Sequence, residues 1–296
     1  MNTEIIFLID KSGSMSNLTK ETIQGFNGFV ESQKDDTKTT LTTVLFDSTW
    51  RVLHDGIDVY EVKPMTTEDY RAGGYTAMLD AIGDTINRVQ DRHDELGEGK
   101  PDNVLFVITT DGEENSSRKF TKSQIEKMIK HQTNGHGWEF IFLGANMDAV
   151  KEASNIGISS TRAVSYDWTT CGTDALYSTV TAAACATKSC ILDSLDLQGT
   201  YNSCVGSADA VISSAKAYTD DSITEPELGS IALNDHRGSS ALSSLQNGDL
   251  SMVSIPGDTP PTPGSLRSLL RNLRVIVWMP GSLVSLAPAT FRTIPR

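Results

Sequence analysis

Hydrophobic positions in the first half of the chain follow two alternating periods. Continuous apolar runs at residues 5–9 and 104–108 are those of strands buried on both faces of a parallel sheet. Ile23, Phe26 and Val30 recur at helical spacing, as do Leu79, Ile82, Ile86 and Val89, so each set predicts one buried helix face. Residues 41–46 and 50–53 read as strands. The tight Asp47-Ser48 link between them predicts an antiparallel hairpin.

Further along, Thr121-Lys122-Ser123-Gln124 fits a capping box ahead of Ile125, Met128 and Ile129. Residues 140–143 form the next apolar strand, which stops at Gly144. A helix over 149–156 and a last short strand over 162–166 follow. This alternation predicts an α/β, doubly wound, Rossmann-like fold. Its central sheet is mainly parallel with one antiparallel edge strand, and helices cover both faces. Ligands on such sheets bind beyond the carboxyl ends of the strands, near the switch point of the winding.

From about residue 169 the pattern weakens. Residues 174–188 are rich in Ala and Thr and predict one more sheet-packing helix, and 207–218 predict another. Between 222 and 264 Ser, Gly, Asp and Pro dominate, which reads as linker or disorder. The expected division is a globular domain over residues 1–190, a helical extension over 191–223 and a poorly structured tail over 224–296.

Composition narrows the function. With 296 residues, 38% hydrophobic and 21% charged, the chain is globular in type. Its formal net charge of -13 repels phosphate, so nucleic acid is not an expected partner. Met1-Asn2-Thr3 leads into the first strand with neither a basic n-region nor a cleavage pattern, so no signal peptide is expected. The late apolar stretch 275–289 is interrupted by Pro280, Gly281 and Pro288 and is too short to span a bilayer. A cytoplasmic protein without membrane contact is the expectation. Cys171, Cys185, Cys190 and Cys204 include no CxxC pair and read as ordinary thiols. His54, His93, His131, His136 and His236 fall in unrelated segments, with no pair at helical ligand spacing.

The chemistry concentrates at Asp10-Lys11-Ser12-Gly13-Ser14, directly after the first strand. One carboxylate and two hydroxyls at alternate positions put hard oxygen donors close together. Such donors suit Mg²⁺ or Mn²⁺ and make poor zinc or copper sites. Asp111 follows the 104–110 strand and Thr76 opens the Leu79 helix, so three loops supply oxygens at the same end of the sheet. Each residue also has an ordinary reading. Asp10 can cap a turn with Ser12 and Ser14 as local hydrogen bonders, and Asp111-Gly112 is a common turn pair. Their occurrence together, in order and at the right strand ends, favours one shared site. Glu113 and Glu114 read as a solvated loop face.

Asp10, Ser12, Ser14, Thr76 and Asp111 resemble the metal-ion-dependent adhesion site of the von Willebrand factor A family. The resemblance covers roughly residues 4–166. It is closest to single-domain bacterial cytoplasmic members, including those associated with tellurium resistance. Asp47 and the Gly144-Ala145-Asn146 turn share in it. It implies that Ser12, Ser14 and Thr76 supply direct hydroxyl ligands to Mg²⁺, with Asp10 and Asp111 acting through water or holding the hydroxyls. It also implies a protein partner whose Asp or Glu completes the metal's coordination, and a shift of the last sheet-packing helix when that partner binds. The helix N-terminus after Thr76 is expected to favour the incoming anion.

A binding module, monomeric or an adaptor in a larger bacterial or phage system, is therefore the leading expectation. No Gly-x-Ser-x-Gly elbow, Walker loop or Cys-His pair accompanies the site. A Mg²⁺-dependent phosphoester hydrolase is the alternative, although a two-metal centre needs more carboxylates than this motif offers. A structural, phage-fibre-associated role is the third reading, resting on a slight likeness of residues 208–223 to fibre helices.

Overall fold

Strand β1 (Asn2–Asp10) is buried from Thr3 to its end, and a strand with no solvent-facing side must lie inside a sheet covered by helices. In the computed structural model, which describes residues 1–145, 147–217, 232–233, 276–279 and 282–285, β1 pairs in parallel with β2 (Lys38–Phe46) and β4 (Asn103–Thr110). The sheet order is β3-β2-β1-β4-β5-β6. The edge strand β3 (Trp50–Asp58) runs antiparallel to β2. On the other side β5 (Glu139–Ala145) and β6 (Ala163–Tyr166) continue in parallel. The chain winds outward from β1 to β2 and, separately, from β4 to β5. The switch point therefore lies between the carboxyl ends of β1 and β4.

Alternation along the strands assigns the two faces. Ile6, Leu8, Phe46, Phe106, Ile108 and Phe142 share a core with buried residues of α2 (Met78–Leu96), α3 (Lys122–His136) and α4 (Ala149–Asn155). Phe7 points to the opposite face, where its ring lies 5.4 to 5.9 Å from those of Phe26 and Phe29 in α1 (Thr19–Ser32) and Tyr177 in α5 (Thr170–Lys188). The capping box of α3 forms with both of its halves, Thr121 to Gln124 and back, and Gly137 ends the helix at φ +68°. The α/β doubly wound architecture with one antiparallel edge is the one the periodicity predicts.

Two elements, β3 and the last helix, differ from expectation. Strand β3 runs on to Asp58, because polar residues carry it: Gly56 N donates to Thr42 Oγ1 at 2.9 Å, and Asp55 pairs with Arg88 and Arg92. A helix α6 spans Leu197–Ala217, starting ten residues before the predicted 207 and anchored by Leu197 and Tyr201, both buried. The chain divides into two units, Met1–Tyr201 and Asn202–Arg296. The second unit holds the strands β7 (Ala232–Leu233), β8 (Ile276–Met279) and β9 (Ser282–Ser285), in the order β7-β8-β9. Apart from these strands, the expected linker and tail over 224–296 lie outside the described residues, as does Asn146. Among the described residues no helix is long and apolar enough to cross a membrane.

Candidate metal centre

The carboxylate of Asp10 is fixed where β1 leaves the sheet. The residue is wholly buried. One carboxylate oxygen accepts from Ser12 N at 2.6 Å and the other from Thr110 Oγ1, at the end of the neighbouring β4, at 2.7 Å. Beneath it, Tyr70 Oη donates to the Asp10 carbonyl at 2.6 Å. The loop that follows is tied to two others. Lys11 N donates to Phe46 O, Gly13 N to Gly74 O and Gly73 N to Lys11 O, at 2.7 to 3.1 Å. Met15, 1% exposed, anchors the 3-10 turn Gly13–Leu18 that closes the motif.

Thr76 is positioned from the β4–α3 loop. Its N–H donates to Asn115 Oδ1 at 2.9 Å, and its carbonyl accepts from Asn115 N and Ser116 N. Glu114 stabilises the same junction: its carboxylate accepts from Leu79 N in the first turn of α2 and from Ser116 N, Ser117 N and Ser117 Oγ. The expected solvated role therefore holds for Glu113, which is exposed, and fails for Glu114. The α2 N-terminus needs the same correction. Its positive end is already matched by Glu114 and is not left for an incoming anion.

All five sequence-predicted residues meet around Gly112. Ser12 Oγ and Ser14 Oγ lie 3.2 Å apart, and Ser14 Oγ donates to Asp111 Oδ1 at 2.6 Å. A Cβ placed on Gly112 would lie 3.5 Å from Thr76 Oγ1 and 3.9 Å from Ser14 Oγ, so those hydroxyls face one space beside a residue without a side chain. Asp10, Ser12 and Thr76 form a buried floor, while Ser14 is exposed at the lip.

The cluster gathers carboxylates that no basic side chain among the described residues pairs with. Burial pushes Asp10 up to about 6, against the hydrogen bonds from Thr110 and Ser12, and the neighbouring Asp111 adds to the rise. Burial also raises Asp111. Lys11, though next in sequence to Asp10, turns away to pair with Asp47. Among the described residues neither Asp10 nor Asp111 has a salt-bridge partner. Two such carboxylates and three hydroxyls suit a hard divalent cation that tolerates hydroxyl and water ligands. Among the described residues no three His, Cys, Asp or Glu converge as a metal-holding group, here or elsewhere, so this candidate centre rests on hydroxyls beside its two carboxylates.

Sequence reasoning missed Tyr70, Thr110, Glu114 and Asn115. Each acts on the site from a segment that carries no motif of its own. The one available signal was Thr110, adjacent to Asp111 at the end of an otherwise apolar strand.

No family model and no curated protein matches this chain. Solved structures similar to part of it include proximal thread matrix protein 1 of the mussel byssus, at 17% identity and TM-score 0.44, covering 62% of this chain and 46% of that one. The ArnB paralog VWA2 of Sulfolobus acidocaldarius matches at 15% identity and TM-score 0.40, over 61% and 44%. A von Willebrand factor type A structure from Catenulispora acidiphila matches at 18% identity and TM-score 0.37, over 53% and 36%. The chain thus spans less than half the length of each. Likeness this remote assigns no function.

Proposed function

We propose that this protein is a metal-dependent interaction module. Ser12, Ser14 and Thr76, backed by Asp10 and Asp111, would hold Mg²⁺ or Mn²⁺, and an Asp or Glu of a protein partner would complete the site. The observation that carries this reading is the convergence of three hydroxyls on two carboxylates with no basic side chain among the described residues paired to them. The resemblance of the motif to the von Willebrand factor A adhesion site supports it. When bound, the cation supplies a Lewis-acidic position to which a carboxylate can attach.

The chain's own residues account for the rest. Asp10 is held by Thr110 and by the Ser12 amide, so it is placed to orient Ser12 and is poorly placed to accept a proton from a substrate. Asp111 is engaged by Ser14. Both carboxylates thus serve to position hydroxyls, which favours binding over hydrolysis. Ser14 at the exposed lip lets a partner approach from solvent. We read the protein as a non-enzymatic, cytoplasmic module, akin to the tellurium-resistance-associated branch of the family.

Affinity capture from a lysate in Mg²⁺, followed by elution with EDTA, tests the proposal. Capture should be released by EDTA and lost in Asp10→Ala. Capture that survives both would overturn it.

A further inference from the structure

A cleft of about 210 Å³ opens beside the candidate metal centre, lined by Lys11, Trp50, Arg51, Glu68, Asp69 and Arg71. Two backbone segments link its lining to the site. Lys11 stands between Asp10 and Ser12, and Arg71 opens the loop that leads to Thr76, with Gly73 N donating to Lys11 O at 2.8 Å. Its volume is below the roughly 300–1,000 Å³ of small-molecule and cofactor pockets and matches a single inserted side chain. Tyr75, 70% exposed, stands on the same loop next to Thr76, the kind of aromatic that interfaces use as an anchor.

The charges in the lining are not equivalent. Lys11 is paired with Asp47. Arg51 donates to the Asp69 carbonyl at 2.6 Å and reaches its carboxylate at 3.4 Å. That carboxylate also accepts from Thr66 N and Thr66 Oγ1. Among the described residues, Arg71 and Glu68 enter no ion pair. The lining therefore offers one uncommitted guanidinium, on a chain of net charge -13. Guanidinium is the group best shaped to grip a carboxylate through two parallel hydrogen bonds.

We propose that this cleft is a second subsite for the same partner. It receives a second acidic side chain, a short distance along the partner chain from the carboxylate at the metal, and Arg71 is its contact. The partner is then a protein segment carrying two spaced acidic residues. This inference rests on the binding reading of the metal centre. Glu68 sits on the same rim and opposes the second carboxylate, so the two exposed charges should act with opposite sign.

The test uses fluorescently labelled, end-capped peptides in Mg²⁺ and the full-length protein, read by anisotropy. One peptide carries a single Asp. Others add a second Asp or Glu at increasing spacing, with Asn, Gln and Lys versions as controls. At the best spacing, the doubly acidic peptide should bind about fivefold more tightly than the single-Asp peptide. Arg71→Gln should remove that advantage and leave the Mg²⁺-dependent binding of the single-Asp peptide in place. Glu68→Gln should enlarge it. An equal advantage in Arg71→Gln, or a preference for Lys at the second position that Glu68→Gln weakens, overturns the subsite. Mg²⁺-dependent binding of the single-Asp peptide with no gain from a second carboxylate removes the subsite alone. Absence of any Mg²⁺-dependent binding removes the reading of the metal centre as well.

Discussion

The hydroxyl of Tyr70 donates to the backbone carbonyl of Asp10 at 2.6 Å, and both residues are wholly buried. The carbonyl belongs to the residue at which β1 turns into the oxygen-rich loop. The phenol thus joins the backbone bonds of Lys11 and Gly13 in setting the direction in which Ser12 and Ser14 are presented. Removing it should loosen the site without dismantling the sheet.

Tyr70→Phe is accordingly expected to cost about 1 kcal/mol of stability and to weaken Mg²⁺ binding about tenfold, the effect typical of losing a partner that orients a ligand. Calorimetric titration with Mg²⁺ and a urea melt measure the two effects. Full Mg²⁺ affinity in Tyr70→Phe would show that the phenol merely packs.

At the other end of β1, Glu4 is 1% exposed and accepts from Thr42 Oγ1 at 2.7 Å, from Arg92 and from His93 Nε2 at 2.7 Å. These bonds fasten the last turns of α2 to β1 and β2. Glu4→Ala leaves Arg92 and His93 without their buried acceptor and should destabilise the protein by about 3–5 kcal/mol. The urea midpoint measures this. A loss under 1 kcal/mol would mean that water replaces the carboxylate.

The fold was legible in the sequence wherever burial was two-sided or strictly periodic. The apolar runs of β1 and β4 and the Leu79-Ile82-Ile86-Val89 stripe of α2 needed no partner to be read. The grouping of the five candidate residues in space was legible because each follows a strand or opens a helix, where a motif and an element end coincide. Tyr70, Asn115 and Glu114 were not, because their roles arise when separate loops meet. Glu114 shows the reason. An acidic residue in a polar loop looks solvated until the loop is laid against the open amides of α2. Helix α6 was placed late for a related reason: its anchoring pair, Leu197 and Tyr201, is one helical turn within an otherwise small and polar stretch.

His54 provides a pH signature. Its Nε2–H donates to Lys63 O at 3.1 Å and its Nδ1 accepts from Thr43 Oγ1 at 3.0 Å, so the neutral ring is fully satisfied. Burial lowers its pKa from the usual 6.5. A base with a depressed folded pKa contributes stability that is complete above 6.5 and is lost as pH falls toward the folded value. Urea midpoints should therefore fall between pH 7.5 and pH 5, and fall less in His54→Gln. The difference between the two profiles isolates His54, because Asp10, raised to about 6, acts in the opposite sense: its contribution is complete below 3.8 and declines as pH rises through 6. Parallel profiles would contradict the assignment.

The proposed binding of one divalent cation by three hydroxyls and two carboxylates is decided by calorimetric titration of Mg²⁺ into the metal-free protein. A single saturable site should appear in the wild type and disappear in Thr76→Ala and Asp111→Ala, while their far-UV circular dichroism stays unchanged. Wild-type protein that binds no Mg²⁺ or Mn²⁺, or variants that bind as the wild type does, would contradict it.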